Sequence, residues 1–177
     1  KMLGAGVRVL KIEGRARSPE YVKTVASCYN EAVSAVADRS YTPEKIAEWN
    51  KRLSAVFNRG FWDGYYLGQK LGEWNTRYGS AATKRKVYLG KVTNYFRKLS
   101  VAEIKVENGD LCKGDSLIIT GPTTGVVEYD VNEIRVDLKE TDKASKGEFC
   151  SVKTDEILRR SDKVYKWVDE SEITRLT

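Results

Sequence analysis

The sequence predicts an α+β fold in which a short strand and two helices precede a small, strand-rich barrel. Two observations carry this prediction. Apolar residues recur at helical spacing from Tyr21 to Phe57, and from Val87 onward they alternate with polar residues. The 177 residues suit one ordinary domain or two small ones, and the change of period favours two parts.

The opening segment is predicted as a strand. In GVRVLKIEGR, the residues Val7, Val9, Leu10 and Ile12 form an apolar run that is typical of a strand inside a parallel sheet. No other parallel strand is evident in the sequence, so this element has no obvious partner.

Two amphipathic helices are predicted next. Each begins with a hydroxyl residue and a proline, because the hydroxyl accepts an orphan backbone N–H and proline has none to lose. These pairs are Ser18 with Pro19 and Thr42 with Pro43. The apolar stripes are Tyr21, Val22, Val25, Cys28, Tyr29, Ala32, Val33 and Val36 in the first helix, and Ile46, Trp49, Leu53, Val56 and Phe57 in the second.

A connector and a barrel complete the predicted organisation. Residues 59–86 combine glycines four apart with aromatic residues from Phe61 to Trp74, a segment that either packs between the two parts or offers a stacking platform. Six runs of period two then predict a six-stranded antiparallel barrel over residues 87–168, closed or nearly closed. The predicted divisions are therefore 1–58, 59–86, 87–168 and a tail at 169–177.

Composition restricts the chemistry. The absence of histidine removes Ser-His-Asp and Cys-His nucleophile arrangements and His-ligated zinc. Cys28, Cys112 and Cys150 are too dispersed for a zinc or iron–sulfur site and are expected to be reduced and buried. No membrane span or signal peptide is evident, so a cytoplasmic location is the default expectation. The net charge of +6 is compatible with an anionic partner and equally with a basic protein that needs none.

The first half of the chain resembles a known family. GVRVLKIEGRARSPEYV resembles the end of the conserved body of peptidase family U32, the collagenase-like family that includes RNA hydroxylases, and NRGFWDGYYLG is similar to a further segment of it. The resemblance continues to about Val168. The matching residues are Gly6 to Arg17, Ser18, Glu20, Tyr21, Val22, Tyr29 and Ala32.

This resemblance implies a fold and two activities. LKIEGR would be the last strand of a TIM-like barrel and the next helix its closing helix, so we expect the chain to be the C-terminal part of a longer protein with most of any active site upstream. The longer protein would hydroxylate transfer or ribosomal RNA or, alternatively, act as a collagenase-like peptidase. An iron–sulfur cluster, implied by the hydroxylase members, would be bound upstream, and no cofactor or metal is expected in this chain.

The strand-rich half resembles domain two of elongation factor Tu. The resemblance rests on Gly90 with Val92, LCKGD at 111–115, Val131 with Ile134, and Ala144 with Gly147. In LCKGD, we expect Gly114 to supply a permissive backbone and Asp115 to cap the turn through its side chain.

Two sets of charged residues are candidate sites. Lys11, Glu13 and Arg15 would share one face of the opening strand, where they would either bind an anionic group or form a salt-bridge cluster that seals the barrel mouth. The candidate nucleic-acid contacts, which would otherwise be the solvated faces of strands, are Lys84, Arg85, Lys86, Arg97, Lys98, Arg159 and Arg160.

The two resemblances imply an accessory substrate-recognition domain, and no catalytic residues are identified in this chain. Its expected partner is RNA, or a protein substrate if the longer protein is a peptidase. A third alternative is a subunit-assembly module, for which a homodimer is expected.

Overall fold

The structure, a computed structural model, describes residues 2–61 and 80–173. The chain divides into two compact units, Lys1–Ala81 and Ala82–Thr177, which we name the helical unit and the β unit. The boundary falls inside the segment 59–86 that the sequence predicts as the connector. The glycines and aromatic residues of that segment at 62–79, and the end of the predicted tail, lie outside the described residues.

The two predicted helices are present. Helix α1 spans Pro19–Ala37 and α2 spans Pro43–Ala55, each with proline in its first turn. The two caps differ from each other. Thr42 Oγ1 accepts a hydrogen bond from Lys45 N at 3.4 Å, whereas Ser18 occupies the cap position in an extended conformation without a side-chain bond. The expected capping by Ser18 is therefore wrong, and the fixed φ of proline is what favours the start of α1.

A carboxylate joins the two helices. Glu31 of α1 accepts hydrogen bonds from the Trp49 indole at 2.9 Å and from both terminal nitrogens of Arg52 at 2.6 and 2.9 Å. The Arg52 guanidinium, followed by the Trp49 bond, lowers the pKa of Glu31. Beneath this polar contact, Trp49 packs against the buried Cys28 and Ala35. The pair thus combines a small apolar core with a forked ion pair.

The predicted opening strand does not form. Residues 7–14 pair with no strand in the described part of the chain, and 81% of Val9 is exposed. A turn follows at Arg15, where the Arg15 N–H donates to Glu13 Oε1 at 2.7 Å and Ala16 has φ 56°. A strand needs a neighbour to satisfy its backbone groups, and the neighbours that the family resemblance implies would lie upstream of this segment.

The described residues of the β unit, 82–173, form ten strands and one short helix. Their bounds are β1 Lys84–Phe96, β2 Val101–Val106, β3 Leu111–Cys112, β4 Ser116–Gly121, β5 Gly125–Asp130, β6 Ile134–Val136, β7 Lys139–Thr141, β8 Lys143–Ala144, β9 Phe149–Lys153, β10 Lys163–Asp169 and α3 Glu170–Ile173. Eight strands form one sheet in the order β5-β4-β10-β1-β2-β9-β6-β7, with every neighbouring pair antiparallel, and β3 pairs with β8.

The sheet surrounds one core without closing. Its buried side chains converge from nearly every strand and include Leu89, Val92, Ile104, Val106, Leu117, Ile119, Val127, Ile134, Val152 and Val164. Strand β5 lies at one edge and β7 at the other. The predicted six-stranded barrel, expected to be closed or nearly closed, is therefore wrong in strand number, and the sheet does not close. After β5 ends at Asp130, the Val131 N–H donates to Asp115 O and Val131 O accepts from Gly114 N. Val131 therefore bonds to the turn at Gly114. This open order does not confirm the resemblance to domain two of elongation factor Tu.

The LCKGD turn behaves as its residues predict. Gly114 has φ +90°, a conformation that favours glycine, and Asp115 Oδ2 accepts a hydrogen bond from Cys112 N at 2.7 Å. The same carboxylate oxygen is paired with Lys166 Nζ at 2.7 Å. Lys166 is therefore engaged in holding this turn.

A bulge in β1 determines which of its side chains face outward. Tyr88 pairs with Tyr165, but the next partner of β10 is Gly90, so Leu89 is an extra residue. Gly90 is required here because a Cβ at this position would lie 2.0 Å from Lys105 O. The extra residue shifts the alternation of inward-facing and outward-facing side chains along the strand by one position. As a result, Tyr88 and Lys91 both lie on the outward face, where both contact Glu107.

Candidate nucleic-acid interface

Three lysines occupy one register position on three neighbouring strands. Lys91 of β1 is directly opposite Lys163 of β10 on one side and Lys105 of β2 on the other. Neighbouring strands lie about 5 Å apart, and like charges directly opposite each other are unfavourable. We call Lys91, Lys105 and Lys163 the lysine row. Such an arrangement costs stability in the free protein and is relieved by an anion that lies across it.

Only part of this charge is compensated within the described residues. Lys91 Nζ pairs with Glu107 Oε1 at 2.9 Å, and Lys105 Nζ lies 5.5 Å from the ring centre of Phe149. No ion pair of Lys163 is found in the described part of the chain. In the described residues the row therefore forms one ion pair for three ammonium groups. Glu103, two residues before Lys105 on the same face of β2, adds a second carboxylate nearby, so the strip keeps a net positive charge.

Glu107 also fixes the aromatic residue next to the row. Tyr88 donates its hydroxyl to Glu107 Oε2 at 2.6 Å. This bond is the main cause of two opposite shifts: it lowers the pKa of Glu107 and raises the pKa of Tyr88 to about 12. Both shifts favour the states that make the bond, an ionised Glu107 and a protonated Tyr88, so the ring orientation is set by a charge-assisted hydrogen bond.

A pair of tyrosines lies beside the lysine row. The rings of Tyr88 and Tyr165, which are opposite each other on β1 and β10, meet edge to face with centres 5.6 Å apart. Lys86 Nζ lies 4.9 Å from the centre of the Tyr165 ring. Aromatic faces next to lysine ammonium groups are the combination that stacks bases and neutralises phosphates.

The structure distributes the sequence-predicted basic residues over three places. Lys84 and Lys86 lie on one face at the start of β1, with Arg85 between them, ion-paired with Glu170. Arg97 and Lys98 are in the exposed turn at the far end of β1, and Arg159 and Arg160 precede β10. Of this set, Lys86 adjoins the tyrosine pair.

The lysine row was not among the candidates as a group. Lys91 and Lys163 are among the basic residues of the alternating runs in the strand-rich half, but no sequence pattern joins them to Lys105. Each lies at an outward position of an alternating run, which is a signal that many solvated strands share. The register that brings them together depends on the bulge at Gly90.

The other candidates remain apart. Lys11, Glu13 and Arg15 are exposed on an unpaired segment, where Glu13 accepts a hydrogen bond from the Arg15 backbone N–H. Their proposed ligand role stays a prediction.

The cysteines are free as expected, with Cys28 and Cys150 buried and Cys112 half-buried. Residues 2–61 and 80–173 contain no group of three His, Cys, Asp or Glu residues arranged to hold a metal ion. No helix in these ranges is long and apolar enough to cross a bilayer.

Comparison with known proteins shows similarity to one family and to relatives with different names. The model of peptidase family U32 matches residues 1–76. A collagenase of Porphyromonas gingivalis is 55% identical over 167 residues, which are 94% of this chain and 40% of that protein. The tRNA hydroxylation protein P of Haemophilus influenzae is 27% identical over 149 residues, 84% of this chain and 31% of that protein. The chain thus spans less than half the length of either relative.

A solved structure is also similar in part. It is the C-terminal domain of a Geobacillus thermoleovorans protein described as a U32 peptidase. The two structures superpose with a TM-score of 0.43 and 18% sequence identity, and the superposed region covers 45% of this chain and 90% of that domain.

Proposed function

Because the chain belongs to peptidase family U32, we propose that its β unit is the substrate-recognition module of a U32 protein and that the substrate it binds is RNA. In this proposal the chemical step belongs to the rest of the U32 protein, as an RNA hydroxylation. A relative named for tRNA hydroxylation, similar over 84% of this chain, supports this choice.

The lysine row carries the proposal. Lysines on three adjacent strands, compensated in the described residues by Glu107, form a strip that favours a polyanion. The tyrosine pair at its side adds ring faces on which unstacked bases pack. A protein chain such as denatured collagen offers no regular series of negative charges and would leave the row unpaired.

A peptidase remains the second candidate because the P. gingivalis relative, at 55% identity, is named collagenase. In that case the β unit would bind an unfolded protein chain. An iron–sulfur cluster, which the hydroxylase proposal implies, does not fit the donors of this chain. Cys28 lies in the helical unit, Cys112 and Cys150 lie in the β unit, and two of the three thiols are buried. We place such a cluster in the remainder of the protein.

The proposal is tested by fluorescence anisotropy of the full chain with labelled tRNA and with a denatured collagen peptide. Three phosphate contacts predict an affinity for tRNA that falls about 20-fold to 40-fold between roughly 50 and 200 mM salt. A variant of the lysine row, with Lys91, Lys105 and Lys163 all replaced by Gln, should bind tRNA at least about 10-fold more weakly at the lower salt.

The matched control removes the same charge elsewhere on the β unit, by replacing the exposed lysines Lys139, Lys146 and Lys153 with Gln. This control should bind nearly as well as the wild type. Binding to the peptide and not to tRNA would favour the peptidase, and self-association with neither ligand bound would favour the assembly module. Equal losses in the two variants would show that net charge, and not the row, determines binding.

A further inference from the structure

We propose that a cleft beside the tyrosine pair, walled by Trp167, receives one RNA base that carries an exocyclic amino group, with guanine as its best fit. The inference rests on the proposed function, since it assumes that RNA lies on this face of the sheet. It adds a site that selects the base, whereas the lysine row holds the backbone.

The cleft lies on the outward face of four adjacent strands. Its volume is about 300 Å³. The outward residues that line it are Lys84 of β1, Trp167 of β10, Ser116 and Ile118 of β4, and Glu128 and Asp130 of β5. Ile118 is only 2% exposed and contributes little surface, so the accessible lining is mainly polar. A bound molecule would therefore meet the polar side chains and the Trp167 indole.

Strand β10 connects the cleft to the lysine row. Lys163, Tyr165 and Trp167 alternate along the strand and therefore lie on one face, about 7 Å from one to the next. The order along this line is a cation, a tyrosine of the aromatic pair, and the cleft tryptophan. A single-stranded RNA that binds the lysine row through a phosphate could therefore extend along β10 to Trp167, with its bases packed against the aromatic rings.

The cleft offers hydrogen-bond acceptors opposite its aromatic wall. Ser116 Oγ donates to Asp130 Oδ1 at 2.6 Å, which orients this carboxylate, and Glu128 lies opposite Ile118 in the register of β4 and β5. Carboxylates accept hydrogen bonds from amino groups of bases, and single-stranded RNA exposes its Watson–Crick edges. Guanine presents an N–H and an amino group side by side, which matches the two oxygens of one carboxylate. Uracil has no amino group.

Lys84 favours an RNA base over a basic peptide side chain as the ligand of the cleft. A tryptophan with two carboxylates would also suit a lysine or arginine of a peptide, through a cation–π contact. Lys84 lines the same cleft and would repel such a cation, whereas it would attract a phosphate next to an inserted base. An RNA base therefore uses the indole, the carboxylates and the ammonium group together.

The test compares two oligonucleotides with the full chain by fluorescence anisotropy. These are an oligouridine of about nine residues and the same oligomer with a central guanosine. The wild type should prefer the guanosine oligomer by about 10-fold. Asp130→Asn with Glu128→Gln should abolish this preference without weakening oligouridine, and Trp167→Ala should weaken the guanosine oligomer by at least about 5-fold. Trp167→Phe, which keeps a ring, should restore most of this affinity.

The outcomes separate the two proposals. Salt-dependent binding of both oligomers with no preference for guanosine, unchanged in the Trp167 variants, would overturn the cleft and leave the RNA module intact. Absence of binding to either oligomer and to tRNA would overturn both. A lysine-rich peptide that competes with the guanosine oligomer and depends on Trp167 would overturn the base assignment.

Discussion

Gly90→Ala tests the close approach of strands β1 and β2. A Cβ at this position would lie 2.0 Å from Lys105 O, 3.0 Å from Lys105 C and 3.2 Å from Glu107 N. These are backbone atoms, so no side-chain rotation relieves the clash and the ladder must move by about 1 Å. Forcing atoms into such a packed site costs about 2–3 kcal/mol. For a unit of about 100 residues, that lowers Tm by about 10–20 °C.

The matched control is Gly109→Ala. A Cβ added to Gly109 would meet no atom within 4 Å beyond its chain neighbours, but the residue has φ +63°, so this substitution costs only backbone strain, about 1 kcal/mol. Urea and thermal unfolding of the two variants and the wild type, followed by circular dichroism, give the comparison. The reasoning is refuted if Gly90→Ala is no less stable than Gly109→Ala.

Three further predictions concern titratable groups. The hydroxyl of Tyr88, with its pKa raised to about 12, should ionise after ordinary tyrosines, whose pKa is near 10, so its contribution to stability is complete below pH 10 and is lost toward pH 12. Tyr88→Phe should remove this late phase of tyrosinate absorbance. Superimposable titration curves for the variant and the wild type would contradict the prediction. Half-buried Cys112 should supply the one fast equivalent in a thiol assay, because burial raises the pKa of the Cys28 thiol and raises that of Cys150 to about 12. A fast equivalent that survives in Cys112→Ser would argue against this. Arg52 lowers the pKa of Glu31 below its ordinary 4.5, so the helical unit should lose stability as the pH falls below that value, and Glu31→Gln should flatten this part of the pH profile.

The helices and the longer strands could be predicted because their periods extend over several residues. In α1, the buried positions Val25 and Cys28 belong to the predicted stripe. Strands such as β3 and β8 have two residues each, too few for an alternation to be recognised. The missed strands are therefore those whose formation depends on pairing partners and not on their own composition.

Barrel closure and the opening strand failed for a related reason. Both were inferred from apolar patterns, and both depend on a neighbour at the edge. Val131 takes its hydrogen bonds from the turn at Gly114, and residues 7–14 have no neighbour in the described part of the chain. Sequence pattern predicts which face of a strand is buried more directly than it predicts which strand lies beside it.

The candidate site shows the same limit. The sequence indicated a basic and aromatic surface on the β unit, but it grouped residues that are neighbours along the chain. Lys91, Lys105 and Lys163 are far apart in sequence and meet through the register of β10, β1 and β2. That register includes an extra residue at the bulge before Gly90, which period-two reasoning cannot place.

The most direct test of the central claim is the salt dependence of tRNA binding, measured for the wild type, the lysine-row variant and the control variant. Each phosphate contact contributes about 0.7 to the slope of log affinity against log salt on single-stranded segments, so loss of the row should reduce the slope by about 2. The control variant should keep the wild-type slope. Parallel lines for the wild type and the lysine-row variant would contradict the assignment of the row as the RNA-binding surface.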